Sequence, residues 1–279
     1  MPFVSDGRIL ITRAFEQRYA MPAFNIFTLE MAQACVEAAE LERAPIILQT
    51  SPGDLVHTTP KNVAGMVKAI AEDASVPVML HLDHGDSLER VGQSLRAGYS
   101  SAMFDAESHP LEENIRLTRN VAAIIHACNM SLEAAGGSFG GGEGGDATVT
   151  LTEPEVAARL LREGEADMVA CSVGSVHGQT TRLDLDRLSA IAEEARGPLV
   201  LHGGSGIAAE DLAEATKLGV VKVNIGAGLI RAVLGAWHGD AGDAADVYTE
   251  ITDRYLAVKA ALIEVARDKI RIMGAAGKA

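Results

Sequence analysis

A chain of 279 residues with 48% hydrophobic content has ample material for one large buried core. Its 38 acidic against 24 basic residues give a formal charge of -14, which excludes nucleic acid and an anionic membrane surface as main partners, because both would repel it at long range. Small molecules and other proteins remain.

Cys35, Cys128 and Cys171 are odd in number, far apart and set in apolar sequence, so we read them as core thiols rather than a disulfide framework. The N-terminal stretch MPFVSDGRIL lacks both a basic lead and a continuous apolar run, and no membrane-spanning run follows it. A cytoplasmic protein is expected.

In chain order, short apolar runs recur: AFNIF (23–27), PIILQ (45–49), PVMLHLD (77–83), SAMFD (101–105), SLEAA (131–135), DMVACSV (167–173), PLVLHGG (198–204) and VVKVNIG (220–226). Each reads as a strand, followed by a polar or glycine break and then a segment of helical period. Two helix starts are well marked. Thr59 serves as an N-cap with Pro60 behind it, ahead of Val63, Met66, Val67 and Ile70, and a capping box from Thr152 to Glu155 leads into Val156, Leu160 and Leu161 before Gly164.

Strands alternating with helices demand parallel pairing, and eight such units over roughly 250 residues match a closed (β/α)8 barrel. We predict a single TIM-barrel domain over residues 1–279. The rival is an open doubly wound sheet, which would carry a dinucleotide fingerprint after its first strand, and NIFTLE is none. The stretch GGSFGGGEGGDATVT (136–150) is too glycine-rich for helix or strand and is expected to be a mobile loop over the fifth strand, a candidate lid.

In such a barrel the chemistry sits at the C-terminal ends of the strands. Polar residues fall there strand by strand: Asn25, Ser51, Asp83 with His84, Asp105, Glu133, His177, His202 and Asn224. Three of the eight histidines thus share one mouth. Three imidazoles with a position left for water or substrate form the ligand set of a catalytic zinc, since structural zinc is four-coordinate and closed. His84, His177 and His202 are the candidate ligands, with Asp83 beside them for proton transfer. A lone strand histidine is more often a satisfied core residue, and His81, two residues before Asp83, is read that way. The run HGGSG (202–206) lets the backbone at Gly203, Gly204 and Gly206 approach a ligand while Ser205 adds a hydroxyl, an anion nest where barrels hold phosphate.

With these residues assembled, AFNIF, LHLDHG, FDAESHPLEENI, VGSVHG, LHGGSG, VVKVNIG and the tail KIRIMGAAGKA resemble the class II, zinc-dependent fructose-bisphosphate and tagatose-bisphosphate aldolases nearly end to end. The resemblance implies that His84, His177 and His202 bind one catalytic Zn2+. It implies that Asp83 gives and takes the proton at the bond being broken, and that Glu143 in the glycine-rich loop moves the proton at the dihydroxyacetone carbon. Asn25, Ser51, Gly178, Gly203, Gly204, Ser205 and Asn224 would bind the substrate, with Asp105 and Glu133 around the metal or at an alternative position for it. A monovalent cation beside the zinc and a homodimer or homotetramer belong to the same expectation. The implied reaction is that of a lyase, reversible cleavage of a ketose phosphate into dihydroxyacetone phosphate and an aldehyde, with zinc as Lewis acid on the ketone. Lys222 is the rival, since a strand lysine can form a Schiff base with a ketose, but the family has a lysine here without that role.

The chain also departs from the family pattern. Ala135 stands where a second glutamate is usual, Gln179, Thr180 and Thr181 where a phosphate-side lysine is usual, Ala227 where a threonine is usual and Glu107 where a serine is usual. The anion pocket has lost a hydroxyl and a cation and gained a carboxylate. Either Arg182 or Arg231 compensates, or the substrate is a non-phosphorylated or otherwise modified ketose or keto acid. A catalytically idle sugar-binding accessory subunit is the third reading, and retention of Asp83, His84, His177, His202 and Glu143 together argues against it.

Overall fold

The computed structural model describes residues 2–56, 58–138, 150–175, 180–238 and 247–279. Eight strands run in parallel: β1 (Met21–Asn25), β2 (Ile46–Thr50), β3 (Val78–Gly85), β4 (Ser101–Phe104), β5 (Ser131–Ala135), β6 (Met168–Ala170), β7 (Leu199–Leu201) and β8 (Val220–Ile225). Each pairs with the next, and β8 returns to β1 with Met21 opposite Lys222, closing the barrel. The open sheet is thereby ruled out, and every predicted apolar run carries a strand. Phe24, Ile46, Leu48, Leu80, Leu82 and Val223 are buried in one continuous core, and helices covering the outer face explain why these strands read as unbroken apolar runs.

Helices α2 (Leu29–Glu42), α3 (Pro60–Asp73), α4 (Leu88–Ala97), α5 (Leu111–Ala127), α6 (Pro154–Arg162), α7 (Leu185–Ala195) and α8 (Ala209–Lys217) follow β1 to β7 in turn. Two helices, α9 (Ala227–Trp237) and α10 (Val247–Ile272), follow β8, and α10 packs on α2, where Glu42 accepts from Arg267 at 2.7 Å and Arg271 at 2.6 Å. An additional helix, α1 (Gly7–Gln17), precedes the barrel. Gly7 packs so closely on Met79 and Ser131, at the N-terminal ends of β3 and β5, that a side chain there would clash, so α1 closes the bottom of the barrel.

Thr59 caps α3 as predicted, its hydroxyl accepting from Asn62 N at 3.3 Å. The expected capping box at α6 does not form. Glu153 is the N-cap without a side-chain bond, Pro154 opens the helix with no N–H to satisfy, and the Thr152 hydroxyl instead accepts from Ser172 N at 2.8 Å. Cys128 also departs from expectation: it lies exposed at the end of α5, while Cys35 and Cys171 are buried and burial pushes their thiols up. Of the glycine-rich stretch, residues 139–149 lie outside the described residues. Its two feet are tied together, Ser138 N donating to Thr150 O at 3.2 Å and Thr150 N to Ser138 Oγ at 2.8 Å.

Candidate active site

A regular strand sends adjacent side chains to opposite faces, so Asp83 and His84 ought to point apart. They do not. His84 has a left-handed backbone with φ of 50°, and the pairing of β3 with β4 shifts register between Leu82 and Gly85. This bulge turns both side chains to the mouth, His84 Nε2 lying 4.0 Å from Asp83 Oδ1. Gly85 allows it, because a Cβ there would strike the Met103 carbonyl. A non-glycine residue in this conformation is strained, and the strain sits where the chemistry is expected.

His202, just after β7, brings its Nδ1 to 3.2 Å from His84 Nε2, with the two rings edge to face. Behind each ring stands a carboxylate: Asp105 Oδ2 is 3.1 Å from His84 Nδ1, and Glu133 Oε1 is 3.0 Å from His202 Nε2. A carboxylate only accepts, so these outer ring nitrogens carry the hydrogen, and in neutral rings both facing nitrogens present lone pairs. Two lone pairs so placed call for a cation. Two nitrogens at about 2.0–2.1 Å from one tetrahedral zinc stand about 3.3 Å apart, and carboxylates behind ligating histidines are the usual support of such a site. Asp83, His84 and His202 together offer ligand atoms within 4.8 Å of one another. The residues present therefore fit a metal. Burial lowers the His84 pKa, but Asp83 and the bond to Asp105 outweigh it and raise it to about 9, so without metal a proton meets the same demand. His177, Gly178 and Glu143 lie outside the described residues.

Asp83 is held from three strands. Its Oδ1 accepts from Asn224 Nδ2 at 2.8 Å, and its Oδ2 accepts from Asn25 Nδ2 and Gln49 Nε2, both at 3.2 Å. Burial raises the Asp83 pKa, but His84, His202, Lys222 and the Asn25 bond bring it to about 2, so the group is anionic at neutral pH. Gln49, which also donates to Asn25 Oδ1 at 2.9 Å, escaped the sequence reading; a lone amide ending the apolar run PIILQ was its signal.

Beneath this layer Lys222 Nζ lies 2.9 Å from Glu133 Oε2 and donates to Asn224 Oδ1 at 2.6 Å. A lysine nitrogen bound in this way to a carboxylate and an amide oxygen is not placed as the free amine a Schiff base needs. His81 is fully buried against Ser101 Oγ at 2.8 Å, and burial and the Lys222 charge hold its pKa well down, consistent with an interior hydrogen-bonding group. On the β2 side, Asp54 Oδ2 accepts from Asn25 Nδ2 at 3.0 Å and from Ser51 N at 2.8 Å.

The glycine turn after β7 differs in part from the expected nest. Gly203 takes its left-handed conformation at φ of 72°, but the Gly204 N–H is spent on Asn224 O at 2.9 Å, and the Ser205 hydroxyl accepts from Gly228 N at 2.9 Å. The turn is braced from α10, where Lys269 Nζ donates to Gly204 O at 3.2 Å. Burial and the nearby charge of Arg231 lower the Lys269 pKa, with Asp268 pulling the other way. Arg182 grips Asp211 through two bonds of 2.8 Å while its side chain is 74% exposed.

The family model for class II fructose-bisphosphate aldolase matches residues 6–278. The chain belongs to that family. It is an aldolase, a lyase whose family acts on small sugar phosphates and is typically metal-dependent, and its aspartate–histidine cluster is a possible metal site. A Bacillus subtilis (strain 168) protein named "Probable fructose-bisphosphate aldolase" is 38% identical over 233 residues, 81% of each chain. The crystal structure of the YdjI aldolase from Escherichia coli K12 superposes with a TM-score of 0.85 at 29% identity, covering 99% of both chains. The fructose-bisphosphate aldolase of Campylobacter jejuni shares the fold, with a TM-score of 0.83 at 23% identity over 99% of this aldolase and 97% of that chain. Among the described residues no helix is long and apolar enough to cross a membrane.

Proposed function

We propose that this aldolase catalyses the zinc-dependent, reversible cleavage of a ketose phosphate into dihydroxyacetone phosphate and an aldehyde. The observation that carries the reading is the pair of imidazole nitrogens facing each other at 3.2 Å, each ring backed by a carboxylate, beside the anionic Asp83. His84, His177 and His202 hold the metal, and Asp105 and Glu133 fix the two described rings in the ligating tautomer. Zinc, when bound, supplies a Lewis acid for the negative charge that develops on the ketone oxygen. Asp83 takes the proton from the hydroxyl on the far side of the bond in cleavage and returns it in condensation, and Asn25, Gln49 and Asn224 keep its carboxylate in place. Glu143 moves the proton at the dihydroxyacetone carbon. Ser51, Gly178, Gly203, Gly204 and Ser205 contact the substrate.

Lys269 and Arg231 put positive charge beside the glycine turn, and this favours a phosphate on the dihydroxyacetone half. A free ketose is the second reading, favoured by the Gly204 N–H and Ser205 hydroxyl being already engaged. An idle accessory role leaves the triply held Asp83 carboxylate without a purpose. One barrel domain spans the chain in this reading. Exposed Ile230, Leu234 and Trp237 of α9 with Ile251, Tyr255 and Leu256 of α10 support assembly as a homodimer or homotetramer, and the three free thiols suit the reducing cytoplasm.

The test is a screen of phosphorylated and free ketoses for aldehyde release, with zinc counted per chain. We expect about one zinc per chain, loss of cleavage on chelation and its return with zinc. Chelated protein that cleaves as fast as the untreated enzyme would rule out the metal mechanism.

A further inference from the structure

We infer that Asp54 determines the aldehyde half of the substrate, selecting a neutral hydroxyaldehyde over one that carries phosphate; this rests on the aldolase reaction proposed above. Asp54 lies in the turn after β2 and is 8% exposed. One of its oxygens, Oδ2, accepts from Asn25 Nδ2 at 3.0 Å and Ser51 N at 2.8 Å, while Oδ1 takes no hydrogen bond from any described residue. The same Asn25 nitrogen donates to Asp83 Oδ2 at 3.2 Å, so a single amide separates Asp54 from the group that handles the proton on the aldehyde side. The carbons beyond that hydroxyl must therefore pass close to Asp54.

The charges around Asp54 decide what those carbons carry. The charged group that faces it is Asp83, a second carboxylate, and no described lysine, arginine or histidine forms an ion pair with it. Lys269, which donates to the turn after β7, and Arg231, whose charge acts on Lys269, stand three strands away around the ring. A phosphate brought beside a buried, unpaired carboxylate meets repulsion that the low local dielectric strengthens. A sugar hydroxyl meets the open Oδ1 and donates to it in a charge-assisted bond. The mouth is thus polarised, with an anion accepted at the β7–β8 end and refused at the β2 end. A ketose carrying one phosphate, on its ketone half, fits both ends; a bisphosphate fits one.

The test runs in the direction of condensation on the zinc-loaded enzyme. Dihydroxyacetone phosphate is paired with D-glyceraldehyde or with D-glyceraldehyde 3-phosphate, and solvent exchange of its C–H proton is followed without aldehyde. We expect kcat/KM for glyceraldehyde to exceed that for its phosphate by about tenfold or more. Asp54→Asn, which keeps an acceptor for Asn25 and Ser51 but removes the charge, should cut that ratio by about tenfold and leave exchange within about twofold. Asp54→Ala should move the ratio the same way, and the wild-type preference stands as a test even if neither variant folds. A turn-capping role alone would alter exchange or stability and leave the ratio in place. Exchange that proceeds while the wild type prefers the phosphorylated aldehyde, or while Asp54→Asn keeps the wild-type ratio, overturns the role of Asp54. Absence of exchange in the wild type overturns the dihydroxyacetone phosphate reaction proposed above and this inference with it.

Discussion

The centre of the barrel and the glycine turn at its β7–β8 edge are built in different ways. At the centre, Glu133, Lys222, His202 and Asp83 are almost fully buried, and they are partnered by side chains from β1, β2, β3, β5 and β8. At the edge, hydrogen bonds to β8, to the start of α9, to α10 and to Thr181 in the stretch before α7 hold the turn. A group whose partners come from many strands cannot be exchanged alone, because each loss strands a buried charge or amide. A turn braced from outer helices can be re-tuned one residue at a time. The reaction therefore belongs to the barrel and the substrate to its periphery.

Lys222→Met tests the first half of that contrast and should have the largest effect. It removes one partner of a fully buried pair and leaves Glu133 short of its lysine, so we expect a stability loss of about 3–5 kcal/mol in denaturant unfolding. A loss under about 1 kcal/mol would mean that the central network is not mutually dependent. Asp83→Ala comes next: kcat should fall by about 10² or more while the zinc content stays at the wild-type level, as loss of a positioned acid–base group requires. Near-normal turnover in this variant would remove Asp83 from the mechanism. The smallest effect belongs to the edge, where Lys269→Met should raise KM for a ketose phosphate about tenfold with kcat within about twofold. An unchanged KM would show that the turn receives its anion without help from α10.

The strands were legible because a parallel sheet covered on both faces must be written as apolar runs, and a functional mouth must interrupt those runs at one end. That is why Asn25, Asp83, Glu133, His202 and Asn224 stand out in the bare sequence. The bulge at His84 was not legible, since nothing local marks a histidine as left-handed; the demand comes from the close approach of Gly85 to Met103. Lys269 was hidden for another reason: its partner lies 65 residues away, and a lysine near the end of a helix reads as a solvated charge. Asp54 looked like a turn residue, which it also is. The capping box at Thr152 failed because the same hydroxyl had a better buried donor in Ser172, a competition that only the folded chain reveals.

The left-handed residue in β3 has a consequence for how such a protein can change over generations. Because His84 bends the chain back, the proposed proton carrier and a candidate metal ligand are neighbours in sequence as well as in space, with no intervening loop. Insertions and deletions, the common currency of loop diversification, have nowhere to fall between them. A one-residue slip upstream in β3 would carry Asp83 and His84 off together, abolishing the site rather than modifying it. Descendants of this chain can acquire new substrates by redrawing the turns after β2, β6 and β7, but the pair at the end of β3 is inherited as a unit or lost as one.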